Sequence, residues 1–484
     1  MQRSNSAEVL AVRQEPARRV NSSVKGMILA AAFLLCAGAM AGAQTVTTLY
    51  SFAGGKTSGA NPWYVTLVQG TNGELYGTTY NGGSKGLGTF FEVTTSGTLT
   101  VLHSFAGGKT DGANPTGGLT LGTDGNFYGT TQMGGTSLQG TVFKMTTTGT
   151  ITLLHSFNSV TDGAFPWQAP IEGTDGNFYG TASAGKGQYG LVYKITSSGT
   201  YSTIYTFTPT TGTYPIAQPT QGTDGDLYIP LSLGGTDECG AIVKITTAGA
   251  LVSSYDFPCG PGGAFPIGPL VQASNGNFYS TTQDGGTNGE GTIYQLTTSM
   301  GVTVLHSFGA LFGDGEYPGA GLLLATDGNY YGSTAEGGTY DDGILFNTTV
   351  GGVYKDLYSF NNSSNLMQMS PLSPPVQNTN GTLYGVTEFG GTNNEGTIYS
   401  LNMGLPAFVN APLFSGKQGG SVLILGQGLT GASKVTFNGV AAEFTVKSDT
   451  HLSATVPTGA KTGYIEVTTA SGVVKSRKIF VVQH

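Results

Sequence analysis

The chain is poor in the residues from which most active sites and nucleic-acid interfaces are built. Only 10 % of its 484 residues are Asp, Glu, Lys or Arg, and it has five His, three Cys and two Trp. It contains no HExxH and no CxxC sequence, which excludes the commonest zinc motifs. Gly-Gly-Lys-Thr occurs at 54–57 and 107–110, but without the earlier glycine and the following helix of a phosphate-binding loop. We therefore find no catalytic signature and predict no cofactor and no metal site.

Residues 1–43 are predicted to be a signal peptide. Basic residues at 13, 18, 19 and 25 precede an apolar run at 27–40, and small residues follow at 41–43. Cleavage is expected before Gln44. The apolar run is too short to span a bilayer comfortably. We expect the mature protein to be secreted, periplasmic or at the cell surface, with no membrane span.

The charge balance argues against two classes of partner. Residues 1–43 hold five of the 20 Lys and Arg and two of the 28 Asp and Glu, so the remaining chain has 15 and 26, a net charge of −11. Nucleic acid and anionic membrane surfaces repel such a protein. We predict no nucleic-acid partner.

One phrase recurs seven times along most of the chain. An apolar stretch ends in Ser-Phe or a similar pair, and an Asn/Asp-Gly turn and a tyrosine follow a little over 20 residues later. The tyrosines are 49 to 53 residues apart, at Tyr76, Tyr128, Tyr179, Tyr228, Tyr279, Tyr331 and Tyr384. A constant period of this length indicates one supersecondary unit used seven times.

Each repeat is predicted to contain four short antiparallel strands, which we name a, b, c and d. In the repeat at 99–151 they are expected at 99–105, 116–121, 127–132 and 141–146. The residues are rich in Thr, Val, Ile, Tyr and Phe between Gly-rich turns, which is typical of an all-β protein. Seven units of four strands favour a seven-bladed β-propeller over residues 44–403, with repeats of about 51 residues. A linear β-solenoid is the alternative.

The strand order within a blade follows from the loop lengths. The b–c, c–d and d–a links are hairpins, whereas the a–b loop is long and is expected to cross between blades. Strand b is then innermost and strand a outermost. The first strand, at 46–52, is expected to complete the last blade by pairing with residues 397–401, which closes the ring.

Two family resemblances support this reading. Leu-His-Ser-Phe, Asp-Gly-Asn-Phe-Tyr-Gly, Gly-Gly-Thr and Gly-Thr-Val-Phe-Lys resemble the GloVer tandem repeats of secreted bacterial proteins over about residues 46–401. That resemblance implies export and β architecture, and no activity. Residues 406–484 have short alternating strands with frequent turns, which indicates a β-sandwich. They resemble an IPT/TIG domain, which implies an immunoglobulin-like module that acts as a spacer or binding unit.

The a–b and c–d loops are expected to form one face of the propeller, which we call the long-loop face. Binding sites often lie on longer loops held by a rigid frame. A Trp can stack on a sugar ring while carboxylates accept hydrogen bonds from its hydroxyls. The candidate ligand-binding residues are Trp63, Trp167, Asp111, Asp162, Asp284, Asp314 and Glu336. Alternatively, both Trp fill gaps between blades and the acids keep the surface soluble.

A disulfide is predicted in the fourth repeat. Strand pairing around the turn at 248–249 places Cys239 opposite residue 258, directly beside Cys259. An exported protein permits disulfide formation. We therefore predict a structural Cys239–Cys259 bridge on the long-loop face.

The sequence favours a non-enzymatic binding or adhesion module that recognises a polysaccharide or a cell-surface protein. One alternative is a carbohydrate-active enzyme, a glycoside hydrolase or lyase, that uses carboxylates such as Asp284 and Glu336. The other is a structural scaffold of the cell envelope.

Overall fold

The computed structural model describes residues 46–185, 189–311, 313–319, 321–361 and 368–483. Over these ranges the protein is all-β, with three short 3₁₀ helices at Pro209–Thr211, Gly260–Gly262 and Leu429–Gly431. The predicted signal peptide and its cleavage site lie outside the described residues. Within the described ranges no helix has the length and apolar character needed to cross a membrane.

Antiparallel sheets with the strand order b, c, d, a recur seven times in the described part of the chain. We call them repeat sheets 1 to 7. In the order b, c, d, a, sheet 1 comprises Val68–Gln69, Leu75–Thr79, Thr89–Val93 and Leu99–Ser104, and sheet 2 comprises Thr120–Leu121, Phe127–Gly134, Thr141–Met145 and Ile151–Ser156. Sheet 3 comprises Ile171–Glu172, Phe178–Ala182, Leu191–Ile195 and Tyr201–Thr206, and sheet 4 comprises Thr220–Gln221, Leu227–Leu231, Ala241–Ile245 and Leu251–Asp256. Sheet 5 comprises Val271–Gln272, Phe278–Thr282, Thr292–Leu296 and Val302–Ser307, and sheet 6 comprises Leu323–Leu324, Tyr330–Gly337, Ile344–Thr348 and Tyr354–Ser359. Sheet 7 comprises Val376–Gln377, Leu383–Thr387, Thr397–Leu401 and Val46–Ser51.

Sheet 7 contains strands from both ends of the repeat region. Val46–Ser51 is its strand a, and it pairs antiparallel with Thr397–Leu401, from Val46 opposite Leu401 to Ser51 opposite Thr397. In sheets 1 to 6, strand a instead follows strand d directly in the chain.

The a–b and c–d loops pair with each other, so both lie at the same end of every sheet. Short strands make this contact in four repeats. In the other three repeats it is made by an isolated β-bridge, which joins residue 164 to 184, 213 to 233, and 264 to 284. The strands are Gly59–Ala60 with Asn81–Gly82, Gly112–Pro115 with Phe127–Gly134, Gly315–Pro318 with Tyr330–Gly337, and Gln368–Met369 with Phe389–Gly390. These loops make up the long-loop face.

Strand b is shorter than the sequence predicts. The predicted strand at 116–121 is reduced to Thr120–Leu121. Asn114 and Gly117 have φ angles of 55° and 69°, which turn the chain out of an extended conformation before strand b begins. The carbonyl of Gly117 instead accepts a hydrogen bond from Thr78 Oγ1 at 3.3 Å.

The hydroxyl group of the recurring tyrosine is hydrogen-bonded to the Asn or Asp side chain of the turn that precedes it. Tyr128, which is fully buried, donates a hydrogen bond from its hydroxyl to Asp124 Oδ2 at 2.8 Å. Where the turn has Asn instead of Asp, the side-chain amide donates to the tyrosine oxygen. The pairs are Asn72–Tyr76, Asp124–Tyr128, Asp175–Tyr179, Asp224–Tyr228, Asn275–Tyr279, Asp327–Tyr331 and Asn380–Tyr384. Because a buried hydroxyl needs a partner, turn and tyrosine recur together.

A backbone hydrogen bond joins each repeat sheet to the next. The residue before each repeated proline has a φ between 51° and 63°, and its N–H donates to a carbonyl in the c–d loop of the preceding sheet. The N···O distances are 2.8 to 3.4 Å for Asn61–Glu395, Asn114–Leu87, Phe165–Gln139, Tyr214–Tyr189, Phe265–Cys239, Tyr317–Glu290 and Ser370–Asp342. The Asn61–Glu395 bond links sheet 1 to sheet 7.

The C-terminal residues form smaller sheets. Their strands are Ser415–Lys417 with Val481–Gln483; Ser421–Leu425, His451–Thr455 and Phe444–Val446; and Val440–Ala442, Lys434–Phe437, Ile465–Thr469 and Gly472–Lys475. They enclose their own apolar core, which includes Ile424, Leu452 and Val467.

This C-terminal region packs on the b–c turns of sheets 1 and 7, at the end opposite the long-loop face. Thr450 Oγ1 donates to the Thr71 carbonyl at 2.6 Å, and Gln427 Nε2 donates to Thr379 Oγ1 at 2.9 Å. Leu425, only 1 % exposed, belongs to the apolar cluster of sheets 1 and 2 that contains Tyr76 and Phe127. The long-loop face therefore stays clear of this contact.

Candidate functional site

The two tryptophans predicted as ligand-binding residues lie against each other. Trp63 and Trp167 each follow a proline at the start of the segment leading to strand b, in sheets 1 and 3. Their ring centroids are 5.4 Å apart, with the planes at 64°. Trp167 is 8 % exposed, whereas Trp63 is only partly buried. The pair therefore combines a buried ring with one that remains accessible.

Further aromatic and polar side chains surround Trp63. The Tyr80 ring lies 5.1 Å from it and the Tyr64 ring 5.7 Å. Tyr80 also donates a long hydrogen bond to Gln132 Oε1 at 3.4 Å. Glu388, from the c–d loop of sheet 7, lies close enough to Tyr64 to act on its ionisation. We call Trp63, Tyr64, Tyr80, Trp167 and Glu388 the aromatic mouth.

Burial changes the electrostatics of this mouth. It raises the pKa of Glu388 to about 7. Burial, with a smaller contribution from the Glu388 charge, raises the pKa of Tyr64 to about 12. Glu388 thus has a carboxyl group that is costly to ionise and could hold or release a proton near neutral pH.

Two buried polar atoms near the mouth have no hydrogen-bond partner among the described residues. They are Nε1 of Trp167 and Oγ1 of Thr116, whose residue is 1 % exposed. Thr116 follows Pro115 in sheet 2, the position that Trp63 and Trp167 occupy in sheets 1 and 3. Buried polar groups usually have partners, so these atoms leave donor and acceptor capacity for water or a ligand.

Three of the predicted acidic residues instead hold their own a–b loops. Asp111 Oδ2 lies 3.1 Å from His103 Nε2 and accepts a hydrogen bond from the Ala106 N–H at 2.8 Å. Burial raises the pKa of Asp111, but the bonds from His103 and the backbone outweigh it, and the pKa lies below its usual value. Asp162 and Asp314 are placed in the same way, beside the histidines of their own strands a.

Asp284 and Glu336, the other predicted acids, lie in a carboxylate cluster of sheets 5 and 6. Carboxylate oxygens of Glu316, Glu336 and Asp341 lie within 4.8 Å of one another. Burial and the charges of Asp341 and Glu290 raise the pKa of Glu336, and burial with Glu290 raises that of Asp284. Such oxygens are the ligands that hard cations prefer. Because Glu336 and Asp341 are exposed, the cluster alone does not establish a metal site.

Cys239 and Cys259 form the predicted disulfide. Their Cα atoms are 5.4 Å apart, within the usual range for a disulfide. The bridge links the c–d loop of sheet 4 to the a–b loop that leads into sheet 5. It therefore fixes the start of that a–b loop to the neighbouring c–d loop on the long-loop face.

We predict that the double variant Cys239→Ser, Cys259→Ser loses about 3 kcal/mol of unfolding free energy, because the bridge closes a loop of roughly 20 residues in the unfolded chain. Urea denaturation of wild type and variant measures this difference. Reducing agent should destabilise the wild type to the same extent and leave the variant unchanged. Two reactive thiols in the non-reduced, exported protein would contradict the prediction.

The repeated sheets and the C-terminal domain define the class of protein, an all-β tandem-repeat chain with a β-propeller-like fold. The Gloeobacter/Verrucomicrobia repeat model matches residues 38–187 and 166–399, and the IPT/TIG domain model matches residues 411–479. The chain therefore belongs to the Gloeobacter/Verrucomicrobia repeat family. The first match confirms the resemblance to the repeats, and the second confirms the resemblance to an IPT/TIG domain. No curated protein sequence matches it.

Several solved structures resemble this chain at low identity. The extracellular domain assigned to a hybrid two component system of B. thetaiotaomicron is 10 % identical, with a TM-score of 0.47, over 92 % of this chain and 60 % of that domain. This chain thus spans about 60 % of that relative's length. The BP39L lectin of Burkholderia pseudomallei is 10 % identical, with a TM-score of 0.49, over 73 % of this chain and 97 % of the lectin. An oligogalacturonate lyase in complex with manganese is 12 % identical, with a TM-score of 0.46, over 75 % of this chain and 96 % of the lyase. None of these similarities assigns an activity to this chain.

Proposed function

We propose that this chain is an exported, non-enzymatic binding module that holds a carbohydrate in the aromatic mouth. In this proposal the seven repeat sheets are the blades of a closed β-propeller, and the C-terminal domain is an immunoglobulin-like sandwich. The observation that carries it is the partly accessible Trp63, whose ring lies 5.1 Å from the ring of Tyr80 and 5.4 Å from that of Trp167. Such a ring offers a face on which a sugar can stack.

Three contacts between the ends of the repeat region support a closed ring. Val46–Ser51 pairs with Thr397–Leu401 in sheet 7. The Asn61 N–H donates to the Glu395 carbonyl at 2.8 Å, as the equivalent residues do between successive sheets. The Thr379 N–H donates to Gln69 Oε1 at 2.9 Å, and Thr174 makes the same bond to Gln221 between sheets 3 and 4. The first and last repeats thus meet as neighbouring repeats do.

Polar groups around Trp63 support a carbohydrate rather than an apolar ligand. Gln132 and Glu388 supply an amide and a carboxyl group near the rings, and Thr116 and Trp167 have buried polar atoms to which no described residue is hydrogen-bonded. Ligand sites commonly combine apolar walls with a few such groups. A sugar presents an apolar ring face and several hydroxyls, which matches both features.

Export is supported by the disulfide and the charge. A Cys239–Cys259 bridge persists in oxidising compartments and is rare in the cytosol. The excess of acidic residues after residue 43 suits a soluble extracellular module with no nucleic-acid partner.

The electrostatics disfavour the enzymatic alternative at the mouth. Hydrolysis of a glycosidic bond generally uses a pair of carboxyl groups flanking the bond. Among the residues of the aromatic mouth, Glu388 supplies one carboxyl group, and burial raises its pKa. The charge of Glu290 contributes to the raised pKa values of Asp284 and Glu336, which lie in the loops of sheets 5 and 6.

A glycan array probed with the mature protein and with Trp63→Ala tests the proposal. We expect binding by the wild type and a loss of affinity of about fivefold or more in the variant, since removal of a stacked aromatic ring costs upwards of about 1 kcal/mol. Tyr340→Ala is the matched control, because Tyr340 is an exposed aromatic residue in the c–d loop of sheet 6.

Two outcomes would contradict the proposal. An array without any binding, together with no release of reducing sugar from polysaccharides, would leave only the envelope scaffold. Release of reducing sugar from a polysaccharide by the wild type, lost in Asp284→Asn or Glu336→Gln, would establish the enzyme instead.

A further inference from the structure

The Glu388 carboxylate is half-buried and has no partner in the described part of the chain. No described residue donates a hydrogen bond to its carboxylate; the contact that Asn61 Nδ2 makes with Glu388 goes to the backbone carbonyl, at 3.4 Å. The ion pairs of the described residues involve Lys194, Lys244 and three histidines, and none involves Glu388.

Two other partly buried carboxylates of the repeats are compensated by lysines. Asp175 lies 3.0 Å from Lys194 Nζ and accepts hydrogen bonds from Asn177 and Tyr179. Asp224 lies 2.9 Å from Lys244 Nζ. An ionised carboxylate taken out of water without such partners is costly. Glu388 therefore differs from these residues in having a charge that no described residue compensates.

The groups beside Glu388 are suited to a cation. Aromatic rings attract a cation placed over their faces, most strongly for Trp, and the attraction grows when the site is desolvated. Asn61, two residues before Trp63, contacts the Glu388 carbonyl through Nδ2 at 3.4 Å. The rings of Tyr64, Tyr80 and Trp167 lie 5.1 to 5.7 Å from the ring of Trp63. A positively charged group entering the mouth would meet both a carboxylate and ring faces.

We propose that the carbohydrate held in the aromatic mouth is an amino sugar with a free, protonated amine, and that Glu388 pairs with this amine. This inference rests on the proposed function, because it names the class of sugar that the same site takes. The sugar ring stacks on Trp63 while its ammonium group lies against the Glu388 carboxylate. A neutral sugar would desolvate Glu388 further without supplying a charge partner, and an anionic sugar would be repelled.

Isothermal titration calorimetry with three hexasaccharides tests this assignment. They are β-1,4-linked hexamers of glucosamine, of N-acetylglucosamine and of glucose, which differ at carbon 2 of each unit. We expect the glucosamine hexamer to bind the wild-type protein at least tenfold more tightly than either neutral hexamer. Glu388→Gln, which keeps the size of the side chain, should reduce this preference to less than threefold, and the neutral hexamers should bind it at least as tightly as they bind the wild type.

Glu395→Gln is the matched control variant. Glu395 lies in the same c–d loop of sheet 7, and its carboxyl group faces Gly54 instead of the aromatic rings. Its substitution removes the same charge from the same loop and should leave the preference for glucosamine unchanged. Thermal unfolding of both variants establishes that each is folded at the temperature of the titration.

Each remaining outcome overturns the inference, and the outcomes separate it from the proposed function. Equal binding of all three hexamers, or an unchanged preference in Glu388→Gln, contradicts the amino sugar but leaves carbohydrate binding in place. A preference abolished equally by Glu395→Gln would show a diffuse charge effect instead of a pair with Glu388. Hexalysine that binds as tightly as the glucosamine hexamer and displaces it would identify a basic peptide as the ligand. If none of the hexamers or array glycans binds, the proposed function fails as well.

Discussion

Replacement of Phe52 by Ala should lower the free energy of unfolding by about 3–5 kcal/mol, the usual cost of truncating a buried Phe. Phe52 is fully buried although it directly follows the first described strand. It shares an apolar cluster with Phe91 of sheet 1 and Ile398 of sheet 7, and its ring lies 5.5 Å from that of Phe91. The variant leaves a cavity between the first and last repeats.

Phe105→Ala is the matched control for this prediction. Phe105 is the equivalent residue one repeat later, is also fully buried, and lies 5.5 Å from the Phe143 ring. The backbone N–H groups of Phe52 and Phe105 make equivalent bonds, to Gly396 and Gly88, each at 3.0 Å. If the ring is closed, the two variants lose equal stability within about 1 kcal/mol.

Urea denaturation followed by tryptophan fluorescence measures both variants, since Trp63 and Trp167 lie in sheets 1 and 3. A Phe52→Ala loss of less than about 1 kcal/mol beside a full loss in Phe105→Ala would mean an open spiral. The first strand would then make only a peripheral contact.

The period of the sequence predicted most of the strand pattern. The turn and tyrosine were visible because both recur every 49 to 53 residues. The hydrogen bond between Asp124 and Tyr128 could not be predicted, because a spacing of four residues across a hairpin does not indicate which side-chain atoms come into contact. Strand b was predicted too long for a similar reason, since the positive φ of Asn114 depends on the carbonyl of Leu87 in the preceding sheet.

The candidate site was only partly predictable. Trp63 and Trp167 could be named because Trp is rare in this chain and each follows a proline. Glu388, Tyr64 and Tyr80 escaped selection because they resemble many other acids and tyrosines in the loops. Their association comes from neighbouring sheets that meet only after the first and last repeats are brought together.

Asp111, Asp162 and Asp314 looked like the other loop acids in the sequence. Each follows a Ser-Phe pair by five or six residues, and that spacing returns its carboxylate to the histidine before the pair. The repeated His-Ser-Phe and the later Asp could have identified this pairing. The signal that separates loop-holding acids from free ones is thus the accompanying histidine, which Glu388 lacks.

Replacement of Leu425 by Ala should destabilise the repeat sheets, although Leu425 belongs to the C-terminal domain. We expect a loss of about 2–5 kcal/mol, the usual cost of a buried Leu→Ala change. Leu425 ends the strand Ser421–Leu425 and packs in the cluster that contains Tyr76 and Phe127. Hydrogen exchange of the amides in Leu75–Thr79 and Phe127–Gly134 measures the effect, and their protection should fall.

Ile424→Ala is the control, because the neighbouring side chain points to the other side of the same strand. Ile424 is fully buried in the core of the C-terminal domain, with Leu452 and Val467. Its truncation should lower protection in His451–Thr455 and Ile465–Thr469 more than in sheets 1 and 2. If Leu425→Ala leaves the hydrogen exchange of sheets 1 and 2 unchanged, the C-terminal domain does not stabilise the repeat sheets. If protection falls as expected, the domain stabilises the repeats beside the contact between sheets 7 and 1, where Gln427 bonds Thr379 and Thr450 bonds Thr71.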